Sequence, residues 1–155
     1  MSASGKSFTF KSIDYGDASY NVYARVATLP RMPRPRVASD NLAQADGTTT
    51  QGSTFDDCRI TIECAVTAAT TTDVETAMSN VIGQLARSQE GPGALILDSH
   101  PTKQWTARLV TGVDGKLGLN GEQFTLEFIC TNPWPTATSA TTTTGSIAGG
   151  GTTTL

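Results

Sequence analysis

Histidine occurs once in this sequence, aromatic side chains make up 6% of it and charged ones only 16%. Each scarcity removes a class of function. A Ser-His-Asp arrangement would have to be built on His100, which lies in the tight run Asp98-Ser-His-Pro101 and reads as a surface turn residue rather than a general base. Basic residues are too few and too dispersed for a dedicated nucleic-acid binder: 11 against 14 acidic ones give a net charge of −3 and a pI near 5.0. No run approaches the roughly 18 apolar residues of a membrane span, and Met1–Lys6 is followed by no apolar stretch of the secretory-signal kind. The expectation is a soluble chain or part of a soluble assembly, with no membrane contact. Its three cysteines, Cys58, Cys64 and Cys130, are odd in number and lack C-x-x-C spacing, so they read as small buried hydrophobes and not as a disulfide framework.

Threonine is what the chain has in excess, with 26 among 155 residues. That length accommodates one domain. Ser7-Phe8-Thr9-Phe10 alternates as a short strand, and Tyr20 to Leu29 alternates as a half-buried one, ended by prolines at 30, 33 and 35. Residues 31–54 show neither helical nor strand periodicity. They read as a loop of about 24 residues, beyond the ~12–15 common in compact domains, and such loops are usually functional or disordered. From Asp57 to Val66 the even positions Cys58, Ile60, Ile62, Cys64 and Val66 are apolar and the odd ones mostly polar, the pattern of a strand with one core face.

A helix follows. Val74, Ala77, Met78, Val81, Ile82 and Leu85 form one apolar stripe; Thr72 with Glu75 fits a capping box, and Gly91-Pro92-Gly93 is the stop. Ala94–Leu97, Gln104–Thr111 and Gln123–Cys130 are three more strand candidates, with Asp114-Gly115 and Asn120-Gly121 as turns. The ordered body is expected to end near Pro135. Thr136 to Leu155 carries no charge and is nearly all Thr, Ser, Ala and Gly, so it reads as a flexible tail or the start of a further region.

The residue types that carry chemistry are not spaced to work together. Cys58 and Cys64 share a strand face but stand roughly 20 Å apart, too far to bind one metal. Glu75 and Glu90 lie near opposite ends of the helix, and Gly149–Gly151 lacks the lysine and flanking elements of a phosphate loop. Neither a catalytic residue, a metal site nor a cofactor site is assigned. Arg31, Arg34 and Arg36, interleaved with proline, form a stiff basic arm suited to an interface, with no aromatic neighbour to stack a base.

The order of these elements resembles a known family. An opening Phe8-Thr-Phe10, Ile13-Asp14, a Pro/Arg-rich stretch, Asp46-Gly47 in a loop and Phe55-x-x-Cys58-Arg-Ile-Thr-Ile62 are similar to the N-terminal part of phage distal tail proteins. The likeness continues through Leu95-Ile-Leu-Asp98, Trp105-Thr-Ala-Arg108-Leu109, Phe124-Thr-Leu-Glu-Phe128 and Cys130-Thr-Asn-Pro133, covering roughly residues 6–135. The resemblance implies a mainly β fold with one helix (α+β), a β-sandwich of tail-tube-like type with a flanking α-helix, over residues 1–135. It also implies a structural virion protein: six copies form a homo-oligomeric ring at the phage tail tip, assembled in the host cytoplasm. The ring joins the tail-tube protein to the tip or baseplate hub protein, near the tape-measure protein, and DNA passes only in transit. Candidate subunit-interface residues on this reading are Arg31, Arg34, Arg36, Asp46, Gly47 and Gly52. The family loop often reads Arg-Asp-Gly where this chain has Ala45-Asp46-Gly47; members commonly carry a second, C-terminal β-domain, and at that place the given sequence has the Thr/Gly-rich segment. A tail-tube or tail-terminator subunit is the alternative of the same class. A monomeric β-sandwich module binding carbohydrate or protein is the alternative of another; it would use exposed aromatics among Tyr15, Tyr20, Tyr23, Trp105 and Trp134.

Overall fold

The structure is a computed structural model that describes residues 7–41, 48–118 and 121–139. Alternating apolar residues build nearly all of it. The strands are β1 (Phe8–Phe10), β2 (Ile13–Asp14), β3 (Val22–Thr28), β4 (Pro35–Asn41), β5 (Thr48–Phe55) and β6 (Cys58–Thr67). After helix α1 (Thr71–Arg87) come β7 (Gly93–Leu97), β8 (Lys103–Leu109), β9 (Lys116–Leu117), β10 (Gly121–Cys130) and β11 (Thr136–Ala137).

Nine strands form one antiparallel sheet with the central order β2-β1-β7-β8-β10-β6-β3; β11 pairs with β8, and β9 with β10. The fold is mainly β with one helix, as expected, but its two layers are halves of a single curled sheet. Phe8 and Phe10 of β1 pack edge-on against Phe128 of β10, at ring-centroid distances of 6.1 and 5.0 Å, so the two halves meet across the core. Tyr15 joins the sheet's ends: its N–H donates to the Phe8 carbonyl at 3.1 Å and its own carbonyl accepts from Val22 N–H at 2.9 Å. The backbone groups that an open sheet would leave unpaired are satisfied there. The Tyr15 ring stacks on Phe8 at 4.8 Å, and burial pushes its hydroxyl up to about 12.

β6 and β10 pair over ten residues each, from Cys58↔Cys130 to Thr67↔Gly121. Their inward residues Ile60, Ile62, Val66, Leu126 and Phe128 are fully enclosed. Helix α1 lies over them through Val74, Ala77, Met78, Val81 and Leu85. Its N-cap is Thr70, two residues before the expected Thr72. Thr70 Oγ1 accepts from Asp73 N–H at 3.2 Å and donates to the Asp73 carboxylate at 2.7 Å. The same three-residue spacing is satisfied two residues earlier by an acid short enough to reach back, and Thr72 is left inside the first turn, its carbonyl accepting from Thr76 Oγ1.

Residues 31–54 are the main correction. The expected loop is a hairpin: β4 and β5 pair with each other from Pro35↔Phe55 to Asn41↔Thr48 and, among the described residues, with no strand of the larger sheet. At the other end of the chain β11 begins at Thr136, inside the segment read as tail, and pairs Thr136↔Gln104 and Ala137↔Lys103. The rest of that segment, from residue 140, lies outside the described residues, as do Met1–Lys6, the turn residue Asn120 and Gly149–Gly151.

Candidate subunit interface

The hairpin gathers most of the residues singled out in the sequence. Arg31 and Arg34 are exposed at its root, and Arg36 sits on β4, where its guanidinium is 2.7 Å from the Asp56 carboxylate. The root is closed by Asp56 N–H donating to the Arg34 carbonyl at 2.9 Å, and Pro33 is buried beneath it. Gly52 lies on β5, where the register moves from Val37↔Ser53 to Ser39↔Thr50. Two residues of β5, Gln51 and Gly52, therefore stand opposite Ala38 of β4, a bulge that bends the hairpin. Asp46 and Gly47 lie outside the described residues.

Sequence reading missed the apolar side of this element. Pro35 and Val37 alternate on one face of β4, and Phe55 is the cross-strand partner of Pro35. Trp134, from the turn that follows β10, packs edge-on against Phe55 at 5.5 Å. Val37, Phe55 and Trp134 keep 55, 47 and 48% of their surface exposed, and Met32 keeps 64%. The result is a group of exposed apolar side chains close in the chain to the arginines, with the Phe55–Trp134 pair at the place where the hairpin leaves the body. Its components come from distant parts of the chain, so no local pattern announces it.

A second surface is the outer face of β3, β6 and β10. Cross-strand rows put Tyr23, Ala65 and Gln123 side by side, then Arg25, Glu63 and Thr125. Arg25 reaches Glu63 at 2.6 Å, and Arg59 reaches Glu127 at 2.8 Å on the diagonal. The Glu127 carboxylate pushes the Arg59 guanidinium further into its charged range. A broad groove crosses this face between Tyr23 and Arg25 on one side and Asp114 and Lys116 of the β8–β10 connection on the other.

The candidates for chemistry fall into structural roles. His100 is half-buried, its Nδ1 3.0 Å from Ser99 Oγ and its ring edge-on to Trp105 at 6.2 Å. The Asp98 carboxylate accepts from Ser7 N–H at 2.9 Å, tying the start of β1 to the end of β7. Cys58 and Cys130 face each other across β6 and β10, whereas Cys64 faces Phe124. All three thiols are free and buried, and burial pushes Cys64 and Cys130 up to about 12. Among the described residues no three His, Cys, Asp or Glu side chains gather as metal ligands, and no helix is long and apolar enough to cross a membrane. Trp105 and Tyr15 belong to the core, so of the five aromatics a carbohydrate module would draw on, Tyr23 and Trp134 are the exposed ones.

Comparison with known proteins gives a family and a fold. The model of the phage tail protein RIFT-related domain matches residues 17–130. Among solved structures, the Dit protein of phage SPP1, described as a paradigm of the hub adsorption apparatus in phages infecting Gram-positive hosts, superposes with a TM-score of 0.62 at 15% identity. The match covers 82% of this chain and 50% of that one, so this chain spans about half the length of the solved relative. A search of curated proteins finds no match.

Proposed function

The chain belongs to the phage tail protein RIFT-related family, and from that premise we propose that it forms a ring at the distal end of a phage tail, joining the tail tube to the tip or baseplate and leaving a channel for DNA. The family puts it in the virion tail, and the likeness of its fold to a hub protein supports the distal position. Six copies are proposed, with the tail-tube protein on one side and the tip or hub protein on the other. Assembly takes place in the host cytoplasm, beside the tape-measure protein.

The observation that carries the channel is the state of the arginines on the outer face of β3, β6 and β10. Retention of DNA depends on free cations that displace counterions from phosphate. Here Arg25 and Arg59 are each held by a glutamate. A wall whose arginines are held in neutralised pairs gives a passing polyanion less to bind. The separate hairpin, with arginines and exposed apolar side chains, supports contact between copies.

Electron microscopy of purified virions, with mass measurement of the recombinant chain, tests the reading. The expected result is one ring of six copies per tail, between tube and tip. Many stacked rings would assign the chain to the tube, and a strictly monomeric protein absent from virions would end the proposal.

A further inference from the structure

The chain is electrically lopsided. Arg31, Arg34 and Arg36 are three of its 11 basic residues, so the other 8 face 14 acidic ones and the remainder of the chain carries −6. Arg31 and Arg34 make no ion pair among the described residues. The arm they belong to is a two-stranded hairpin that among the described residues pairs only with itself, and such a hairpin is marginal in water without a surface to pack on. Its base presents Val37 and Phe55, with Trp134 of the body packed on Phe55, each about half exposed.

The complementary surface lies at the opposite end of the molecule. Asp14 ends β2, Asp17 lies in the turn before β3, and Asp73 and Glu75 occupy the start of α1; all four are exposed and form no ion pair among the described residues. Asn80 Nδ2 donates to the Ser19 carbonyl at 3.1 Å, locking that turn to the helix. From Glu75 the outer helix face continues through Ser79, Ile82 and Ala86, all exposed, so acidic and apolar groups adjoin there as basic and apolar groups do on the arm. The hairpin leaves the body beside Cys58, and α1 begins just past Thr67. Those residues are the two ends of β6, roughly 30 Å apart at about 3.3 Å per residue. Within one chain the root of the arm therefore lies far from this end.

We propose that the β4–β5 hairpin docks on a second copy of this chain, with Arg31 and Arg34 against the acidic end formed by Asp17, Asp73 and Glu75, and with the Val37–Phe55–Trp134 face against the helix around Ile82. The contact joins two different surfaces, a head-to-tail arrangement that closes into a ring when its rotation closes. It rests on the ring reading and names the surfaces that hold the ring together. Charge sets the orientation, and the aromatic pair at the centre supplies the burial.

Charge reversal in trans tests it, with the full chain in sedimentation velocity over a range of concentrations. Arg31→Glu/Arg34→Glu and Asp17→Lys/Glu75→Lys each change only exposed residues, and circular dichroism checks that both variants fold. Each alone should weaken self-association at least tenfold, and mixing the two should restore it, because the reversed arm of one fits the reversed end of the other. Trp134 should become shielded from acrylamide quenching as the wild type assembles, and Trp134→Ala should weaken assembly. Variants that assemble like the wild type, or a mixture that fails to recover, would overturn the docking while leaving the ring intact. A wild-type chain that stays monomeric at every concentration would overturn this docking, and an image of virions then decides the ring reading independently.

Discussion

Phe128 is where the curled sheet is pinned, and its truncation is the sharpest test of the architecture. The side chain is fully enclosed and touches Phe8 and Phe10 edge-on, at 6.1 and 5.0 Å, from the opposite half of the sheet. Phe128→Ala removes the ring from a site whose walls are β-strands and cannot collapse inward. A buried Phe→Ala change costs about 3–5 kcal/mol, within which the two lost aromatic pairs account for about 0.5–1.5 each. Against a total stability of about 5–15 kcal/mol this is a large share, and it should lower Tm by roughly 10–20 °C for a domain of this size. The assay is urea unfolding followed by the fluorescence of Trp105, which is 4% exposed and reports on the same core. Phe55→Ala is the matched control, since Phe55 is 47% exposed in the isolated chain, and it should cost less than about 1 kcal/mol there. A Phe128→Ala variant within about 1 kcal/mol of the wild type would refute the closure of the two sheet halves around this residue.

Three further outcomes are expected. Thr70→Ala should cost about 1 kcal/mol in thermal or urea unfolding, because the helix loses the hydroxyl that holds Asp73 N–H, whereas Thr72→Ala should change stability by under about 0.5 kcal/mol. Lys11 and Ser12 link β1 to β2 with φ of 50° and 66°, the left-handed pair of a tight hairpin turn, so Lys11→Asn/Ser12→Gly should raise stability by about 1–2 kcal/mol. Burial raises the Cys64 thiol from 9.0 to about 12. A raised value means that the contribution is complete below pH 9.0 and is lost as pH climbs towards 12, so stability should fall across that window and Cys64→Ser should flatten the fall.

Strands with one face in the core were legible because their side chains must alternate. Cys58–Val66 and Phe124–Cys130 are apolar at every second position, and the strands Cys58–Thr67 and Gly121–Cys130 fall where that alternation puts them, give or take two residues. The helix was legible for the same reason with a different period. Its first residue was not, since Thr70/Asp73 and Thr72/Glu75 offer the same spacing and only the geometry of the entering chain chooses between them. The β4–β5 hairpin was illegible because it is paired through its backbone and not through a buried face. Proline at 35, the bulge at Gln51–Gly52 and a run of Thr, Ser and Gln leave no period to find. The arginines of the arm were visible as a cluster, while the aromatic pair beside them was not, because Phe55 and Trp134 are neighbours only in space.

By itself, then, the sequence determined the class of the molecule. Sparse charge and aromatics, a single histidine, alternating strands and one amphipathic helix follow from composition and period, which are local properties and survive without knowledge of the fold. Tertiary structure decided what the surfaces are. It curled one sheet until Phe8 and Phe10 met Phe128, brought Cys58 opposite Cys130 and tied Arg25 and Arg59 to glutamates on adjoining strands. It also set the basic arm and the acidic helix end at opposite ends of β6. Strand order and register fix such distances, and both are settled by packing across the core, where residues far apart in the chain compete for the same space.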